Sequence, residues 1–410
     1  MRILQINAVY GHGSTGVIVK DIYELCNKSD IECFLASPDP DVLFCPTGYK
    51  IGNQMDHKIH AFLCRAGGKQ AYYSAISTRK LCKYIDRISP DIVHLHNLHS
   101  NYIHLNRLLK FLAERRISVV VTLHDCWFYT GGCFHYTTSR CDKWKTTCGD
   151  CPRRYMDTPA YLCDSSHCIL NDRKIYFDMI DNLTVTGVSS WITSEAQKSV
   201  LSKHKIVTIR NGVDTKVFHP CSSSLKRDLN LEDKFVILGP ASKWLLKINS
   251  DYLSKFCNLL KDDEVLLLYG ATDTETYKGL PANVITYGYI HDREELVLLY
   301  SGADVFANVS HEDSFSLINI EAQACGTPIV TFACTGLTDT IDNQCGYSVS
   351  PNDVNEMYDK IQMIRSELEI YSSKCRDYVL KYHDKNNIYD SYIKLYEEMV
   401  IHKTSSDKQI

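Results

Sequence analysis

Residues 312–328 carry the residue types with the clearest chemical use, because three acids and several polar residues lie before and within an apolar run. The pattern predicts a loop leading into a helix, with Asp313 at the positive end and Glu321 about two turns further along. Such a helix end can bind a diphosphate, while the carboxylates hold sugar and ribose hydroxyls. An ordinary capped helix with a solvated glutamate remains the alternative. The expected diphosphate contacts are Ser314, Phe315, Ser316 and Leu317.

A glycine-rich loop follows the first apolar run and opens an amphipathic helix. Glycine permits unusual backbone angles and a close approach of the backbone to an anion. The loop differs from a dinucleotide fingerprint, since no acidic residue ends a second strand at the expected distance. A tight turn between strand and helix is the alternative. The residues expected to line a ligand site here are Gly13, Ser14, Thr15 and Gly16.

His124 and Asp125 follow an apolar run at 119–123 that predicts a buried strand. A histidine at the end of a strand can donate a hydrogen bond to a phosphate or a sugar hydroxyl. A structural histidine beside a capping aspartate is an equally open interpretation.

Four cysteines, Cys133, Cys141, Cys148 and Cys151, lie within nineteen positions, and the last two form a C-x-x-C pair. Four thiolates are a complete ligand set for tetrahedral zinc, so a structural zinc ion is expected. Reduced thiols packed in a loop, or a disulfide between Cys148 and Cys151, are the alternatives.

The elements that must position these residues alternate short β-rich runs with amphipathic segments, which is typical of doubly wound α/β domains. Runs at 3–9, 92–96, 119–123, 183–188 and 205–209 predict one parallel sheet, and runs at 235–238, 265–269, 284–287, 305–308 and 328–332 predict a second. A turn-rich junction follows residue 211. We therefore expect domains 1–212, with a cysteine-rich insertion at about 126–168, and 213–385. Residues 386–410 would form a C-terminal helix and tail that crosses back to the first domain. A ligand would bind between the two domains.

The bulk composition is that of an ordinary globular protein, with 410 residues and a formal net charge of -4. This charge, and the lack of a recognition module, argue against nucleic-acid binding. The N-terminus reads as a first strand and not as a signal peptide, and no apolar run is long enough to span a membrane, so a cytoplasmic location is expected. Basic residues outnumber acidic ones over 58–87, where apolar residues lie between them. Peripheral membrane contact or a solvated helix face would both explain that pattern.

Taken together, the chain resembles a family 4 glycosyltransferase of the GT-B fold, in which two Rossmann-like domains face each other. Asp313 and Glu321 match the first and second acidic positions of that family's E-x(7)-E signature. Other matches are Gly-Ser-Thr-Gly at 13–16, Pro-Asp-Ile-Val-His-Leu-His-Asn at 90–97, Thr-Leu-His-Asp-Cys-Trp at 122–127 and Asn-Gly-Val-Asp at 211–214. The subgroup it is most similar to builds bacterial capsule, exopolysaccharide or O-antigen repeats.

The resemblance implies a retaining hexosyl transfer from a nucleotide sugar to a glycan or lipid-linked acceptor. Asp313 would hold the donor sugar, Glu321 the ribose, the Ser316 region the diphosphate, and His124 the reaction centre. It also implies that catalysis needs no metal, because a basic pair and helix-end amides neutralise the leaving diphosphate.

Three positions depart from the family pattern. The segment at 241–249 lacks the usual arginine-to-lysine pair, so Lys247 and Lys243 would have to supply the cations. Val17 replaces a frequent arginine, and Leu337 replaces a glycine. These departures keep two alternatives open: a weakly active or non-enzymatic nucleotide-sugar-binding partner of a biosynthetic complex, and a UDP-sugar epimerase of the same architecture, which the transferase signature disfavours.

Overall fold

The computed structural model describes residues 1–157, 159–246, 250–271, 280–290 and 292–407. The chain forms two compact units. Unit 1 comprises Met1–Asn211 together with the chain from Ile388 onward, and unit 2 comprises Gly212–Asn387. Each unit is built on a parallel sheet with helices, and the two are described separately.

Unit 1 contains a seven-stranded parallel sheet in the order β3-β2-β1-β4-β5-β6-β7. The strands are β1 (Arg2–Ile6), β2 (Glu32–Ser37), β3 (Gly48–Lys50), β4 (Ile92–Leu95), β5 (Ser118–Leu123), β6 (Leu183–Gly187) and β7 (Lys205–Thr208). The central strands β4, β5 and β6 are buried along their whole length, as expected for strands covered on both faces.

The helices of unit 1 are α1 (Gly13–Lys28), α2 (Gln54–Gly67), α3 (Ala75–Ile88), α4 (Leu105–Glu114), α5 (Ser166–Asp178) and α6 (Ser190–Ala196). A final helix, α14 (Lys385–Asp407), begins in unit 2 and continues into unit 1. Its Tyr392 and Tyr396 are buried in unit 1, where they contact residues of β4 and β5. This aromatic stripe at helical spacing fixes α14 against the sheet.

Unit 2 contains a six-stranded parallel sheet in the order β10-β9-β8-β11-β12-β13. The strands are β8 (Phe235–Pro240), β9 (Glu264–Tyr269), β10 (Val284–Tyr287), β11 (Val305–Asn308), β12 (Ile329–Phe332) and β13 (Gly346–Val349). The helices are α7 (Leu225–Asp228), α8 (Ala241–Trp244), α9 (Ser250–Cys257), α10 (Arg293–Gly302), α11 (Leu317–Ala324), α12 (Val354–Ser366) and α13 (Leu368–Tyr382).

Both sheets reverse their winding direction at one point, and parallel α/β sheets bind ligands at the carboxyl ends of the strands at such a point. In unit 1 the reversal lies between β1 and β4. In unit 2 it lies between β8 and β11. The glycine loop follows β1, and the loop that carries Asp313 follows β11, so both lie beside a reversal.

The sequence pattern predicted all the central strands but not the outer strands β2, β3 and β13. These are short or lack a β-branched run, and their hydrogen bonds to a neighbouring strand define them. The C-terminal helix expected from residue 386 is α14, and it is separated from α13 because His383 and Asp384 leave the helix and pair with Val213.

Candidate functional site

The loop after β11 places Asp313 next to the first turn of α11. Asp313 Oδ1 accepts a hydrogen bond from the Phe315 N–H at 3.1 Å, which ties the carboxylate to the helix entrance. Of the four residues expected to contact a diphosphate, Phe315 has its amide engaged by Asp313. Ser316 occupies the N-cap position without a capping hydrogen bond from its own side chain. The amides of Ser316 and Leu317 thus begin the helix, where N–H groups lack intrahelical partners.

A buried polar network, which the sequence pattern did not indicate, holds this loop in place. The Asn308 side-chain amide donates to Asn319 Oδ1 at 2.9 Å and to Ser316 Oγ at 3.2 Å. Asn319 in turn donates to Thr340 Oγ1 at 2.9 Å. The Ser314 hydroxyl is buried beside this network, with no hydrogen-bond partner in the described part of the chain. Satisfied buried networks rigidify their surroundings, so α11 begins at a fixed position relative to the sheet.

The short 3-10 helix Thr335–Thr340 supports Asp313 from the other side. The Asp313 N–H donates to Thr335 Oγ1 at 3.1 Å, and the Gly336 N–H donates to the Asp313 carbonyl at 2.9 Å. Leu337 is fully buried in this segment. Its departure from the family pattern therefore places a side chain in the core and leaves the backbone contact to Asp313 intact.

Glu321 lies on α11 in an unusual environment for a carboxylate. Burial raises its pKa from 4.5 to about 7, while Arg293 and a hydrogen bond from Tyr300 oppose that effect. The Tyr300 hydroxyl contacts Glu321 Oε2 at 3.4 Å and also lies 3.2 Å from the Tyr269 hydroxyl. Glu321 is thus a half-buried acid whose charge is poorly compensated in the protein alone. A group that donates two hydrogen bonds, such as a ribose diol, would compensate it.

Of the two lysines expected to supply positive charge, the structure describes only Lys243. Lys243 belongs to α8, directly after β8, at the same sheet edge as the Asp313 loop, because parallel strands end together. The Trp244 indole N–H donates to the Ala307 carbonyl on β11 at 2.9 Å, which anchors α8. Lys247 and Ile248 lie outside the described residues.

In unit 1 a hydrogen bond within the backbone closes the glycine loop that follows β1. The Gly11 N–H donates to the Gly16 carbonyl at 3.0 Å, and Gly11 and Gly13 adopt left-handed backbone angles. Gly16 is buried, and a Cβ there would approach a Val9 methyl at 3.1 Å. Gly13, Ser14, Thr15 and Gly16 form the first turn of α1, which has no side-chain cap. Their amides lie where an anion would be bound.

His124 takes part in a chain of hydrogen bonds that sets its tautomer. The Gln5 side-chain nitrogen donates to the Val19 carbonyl, so its Oε1 accepts from His96 Nε2 at 3.2 Å. His96 Nδ1 then lacks a proton and accepts from His124 Nε2 at 3.0 Å. Burial lowers the pKa of His124 to about 4, so the ring is neutral at pH 7. Its Nδ1 is therefore an acceptor, whereas the sequence had suggested a donor.

Gln5 and His96 are functional candidates that had no expected role. The signal for His96 in the sequence is weak: it follows the end of β4, two residues after His94, and the two ring centroids lie 3.9 Å apart. Asp125 takes a separate position. Its carboxylate accepts from the Trp127 N–H at 2.8 Å and lies 3.0 Å from His99 Nε2. Asp125 thus holds the backbone two residues further on, while the N-cap position of the following short helix is Cys126.

The four cysteines of the insertion line one small cavity of about 20 Å³, beside Trp144 and Gly131. The insertion contains an aromatic core, in which Trp144 packs against Tyr129 and Tyr136, and all three are buried. Within the described residues, the one group of three or more ligand atoms mutually within 4.8 Å is that of His12, Asp39 and Asp41. No three of the four cysteine sulfurs therefore lie mutually within 4.8 Å.

The basic stretch at 58–87 forms two helices and a connecting loop. Met55, Ile59, Phe62 and Leu63 make an exposed apolar stripe on α2, and Phe62 has 71% of its surface exposed. The basic residues Lys58, Arg65, Arg79, Lys80, Lys83 and Arg87 are exposed on α2 and α3. In the described part of the chain, no helix is both long and apolar enough to cross a membrane.

Solved structures with the same architecture match nearly the whole chain. Sucrose-phosphate synthase from Thermosynechococcus elongatus aligns with a TM-score of 0.66 at 17% identity, covering 98% of this chain and 99% of that one. Anabaena HepE in complex with UDP aligns with a TM-score of 0.66 at 13% identity, covering 97% and 100%. The two parallel sheets and these neighbours define a two-domain GT-B fold.

Sequence comparison gives the family. Residues 17–152 match the Glycosyltransferase Family 4 profile, and residues 233–366 match the profile of Glycosyl transferases group 1. The Escherichia coli K12 protein named as the colanic acid biosynthesis glycosyl transferase WcaC is 23% identical over 68% of this chain and 68% of its own length. A Campylobacter jejuni N,N'-diacetylbacillosaminyl-diphospho-undecaprenol alpha-1,3-N-acetylgalactosaminyltransferase is 27% identical over 49% of this chain and 56% of its own length. The chain belongs to glycosyltransferase family 4 and is related to enzymes of bacterial polysaccharide biosynthesis.

Proposed function

We propose that this protein transfers a hexose from a nucleotide sugar to a glycan or lipid-linked acceptor, with retention of anomeric configuration. The observation that carries the proposal is the entrance of α11, where Asp313 is fixed to the first turn by the Phe315 N–H and to the following segment by Thr335 and Gly336. A carboxylate held in this way is suited to accept hydrogen bonds from sugar hydroxyls at a defined position.

The donor nucleotide would be held further along the same helix. Glu321 accepts the ribose hydroxyls, the amides of Ser316 and Leu317 bind the diphosphate, and Lys243 and Lys247 supply positive charge. Negative charge that develops on the departing diphosphate then meets fixed donors, which is electrostatic catalysis without a metal ion. His124, as a neutral acceptor through Nδ1, would receive a hydrogen bond from a hydroxyl of the transferred sugar.

The test uses the substitution Asp313→Asn in the full chain. Asparagine keeps the oxygen that accepts from the Phe315 N–H, so the loop is preserved while the charge is removed. The matched control is Asp262→Asn, which removes the same charge from an exposed position in unit 2. UDP-sugars are the first donors to try, since a structural neighbour binds UDP-glucose, and GDP-, dTDP- and ADP-sugars complete the panel.

Binding is followed by thermal shift, and donor turnover by nucleotide release. We expect one donor to stabilise the wild-type protein and to be hydrolysed slowly, and Asp313→Asn to lower nucleotide release by at least tenfold with the control unchanged. Full activity in Asp313→Asn would contradict the site assignment. Donor binding without any turnover in the presence of acceptors would favour the non-enzymatic binding partner, and isomer formation without acceptor would favour an epimerase.

We also propose that the stripe on α2 rests on a membrane surface, which would give access to a lipid-linked acceptor. Exposed apolar side chains beside basic ones are the features of a helix that lies in the membrane interface. The test is sedimentation with vesicles that contain anionic lipid. Ile59→Ser with Phe62→Ser should abolish binding, whereas Ile370→Ser, at an exposed apolar position of unit 2, should not. Equal binding by both variants would contradict this proposal.

A further inference from the structure

The insertion that follows β5 has no role in the proposed transfer reaction, yet its cysteines are arranged in a specific way. Cys133, Cys141, Cys148 and Cys151 are separated by up to eighteen positions, and all four line the same small cavity. No carboxylate or imidazole belongs to the described lining of that cavity. A cavity lined by four thiols is a soft ligand set.

The backbone around these residues is constrained. Gly132, Arg140 and Asp150 immediately precede Cys133, Cys141 and Cys151, and all three adopt positive φ angles of 125°, 47° and 44°. A left-handed conformation costs a non-glycine residue about 1–2 kcal/mol, so it persists only where the surroundings require it. The recurrence of this conformation before three of the four cysteines sets the direction of their side chains.

The turn between the last two cysteines is held by a side chain. Lys143 Nζ donates to the Gly149 carbonyl at 2.7 Å and thereby closes that turn.

The surrounding charge also suits an anionic centre. Arg173 is fully buried and donates to the carbonyls of Trp127 and Thr130. Four thiolates around a divalent cation carry a net charge of −2. Arg173 would interact with charge on Cys133 and Cys148, and together with the exposed Lys143 it would offset part of that net charge.

We propose that Cys133, Cys141, Cys148 and Cys151 bind one zinc ion and that this ion holds the insertion in place after His124. Binding converts four thiols and Zn²⁺ into a tetrathiolate complex and releases four protons. A zinc–sulfur distance of about 2.3 Å requires the sulfurs to be about 3.8 Å apart. The sulfur atoms must therefore turn further into the cavity on loading, and the binding free energy adds to the stability of the insertion.

The experiment measures zinc in the full chain, expressed with added zinc and purified under reducing conditions. Metal analysis should find one zinc per chain in the wild-type protein and none in Cys148→Ser with Cys151→Ser. The matched control is Cys163→Ser with Cys168→Ser, which removes two exposed thiols of the same region and should retain the full metal content. Cobalt substitution should give the visible absorption of a tetrahedral thiolate site.

A wild-type protein that takes up no zinc or cobalt after reconstitution would overturn the proposal, as would equal metal loss in both double variants. A disulfide between Cys148 and Cys151 under reducing conditions, or iron with inorganic sulfide, would also overturn it. If the Cys148 and Cys151 variant does not fold, chelation and reloading of the wild-type protein decide the question. Limited proteolysis within residues 130–165 should then increase on chelation and reverse on reloading.

Discussion

Replacing Glu321 by glutamine should stabilise unit 2 while weakening donor binding. The pKa of this carboxyl is raised to about 7 by burial, so its charged form is penalised in the folded protein. Each pKa unit corresponds to ~1.4 kcal/mol, and the rise from 4.5 to about 7 corresponds to about 3.5 kcal/mol at most. Because Glu321 is only partly buried, solvent reduces this figure to about 1–3 kcal/mol. Glutamine removes the penalty and can still accept from Tyr300.

The raised pKa of Glu321 determines the direction in which the stability of the wild-type protein changes with pH. Folding favours the protonated form of Glu321, so wild-type stability declines between pH 4.5 and about 7, and the loss is complete above pH 7. The difference in stability between Glu321→Gln and wild type should therefore be near zero at pH 4.5 and reach about 1–3 kcal/mol at pH 8.

Urea denaturation of both proteins at several pH values measures this difference. The control is Glu232→Gln, which removes the same charge from an exposed position in unit 2 and should leave stability unchanged at every pH. A Glu321→Gln protein that is no more stable than wild type at pH 8, or a gain that is the same at every pH, would refute the assigned environment of Glu321.

Donor binding should change in the opposite direction. Loss of a charged acceptor for two ribose hydroxyls costs about 1.5–3 kcal/mol, which weakens the donor Kd by about 10- to 100-fold. Wild-type affinity should rise between pH 6 and pH 8 as Glu321 ionises, whereas that of the variant should not. Calorimetric titration with the donor identified in the panel tests both points, and an unchanged Kd would place the ribose elsewhere.

Three further substitutions test the described packing. Gln5→Leu removes the acceptor that fixes the tautomer of His124. We expect kcat to fall about tenfold, which is the effect of roughly one lost hydrogen bond, with a smaller change in KM. An unchanged kcat would contradict the role of the hydrogen-bond chain from Gln5 to His124. Tyr396→Phe leaves a buried nitrogen of His94 without its partner at 2.6 Å, and thermal unfolding should show a loss of about 1–2 kcal/mol in unit 1. Gly16→Val overfills the turn of α1 and should cost about 1–3 kcal/mol, whereas Ser14→Val at the exposed neighbouring position should cost less than 1 kcal/mol.

The sequence by itself predicted the two-sheet α/β architecture, because fully buried parallel strands such as β5 and β11 appear as short β-branched runs between turns. It also gave the position of Asp313 at a helix entrance, since capping and spacing are local properties of the chain. The roles of Glu321, Lys243 and the cysteines stay predictions. Lys247 lies outside the described residues.

Tertiary structure decided what depends on contacts between distant residues. The pKa of Glu321 is raised by burial against the opposing effects of Arg293 and Tyr300. The tautomer of His124 is set by Gln5, more than a hundred positions away. Neither follows from periodicity, because hydrogen bonding and desolvation depend on which side chains the fold brings together. The burial of Leu337 is of the same kind: its departure from the family pattern is visible in the sequence, but only the packed structure shows that its side chain enters the core.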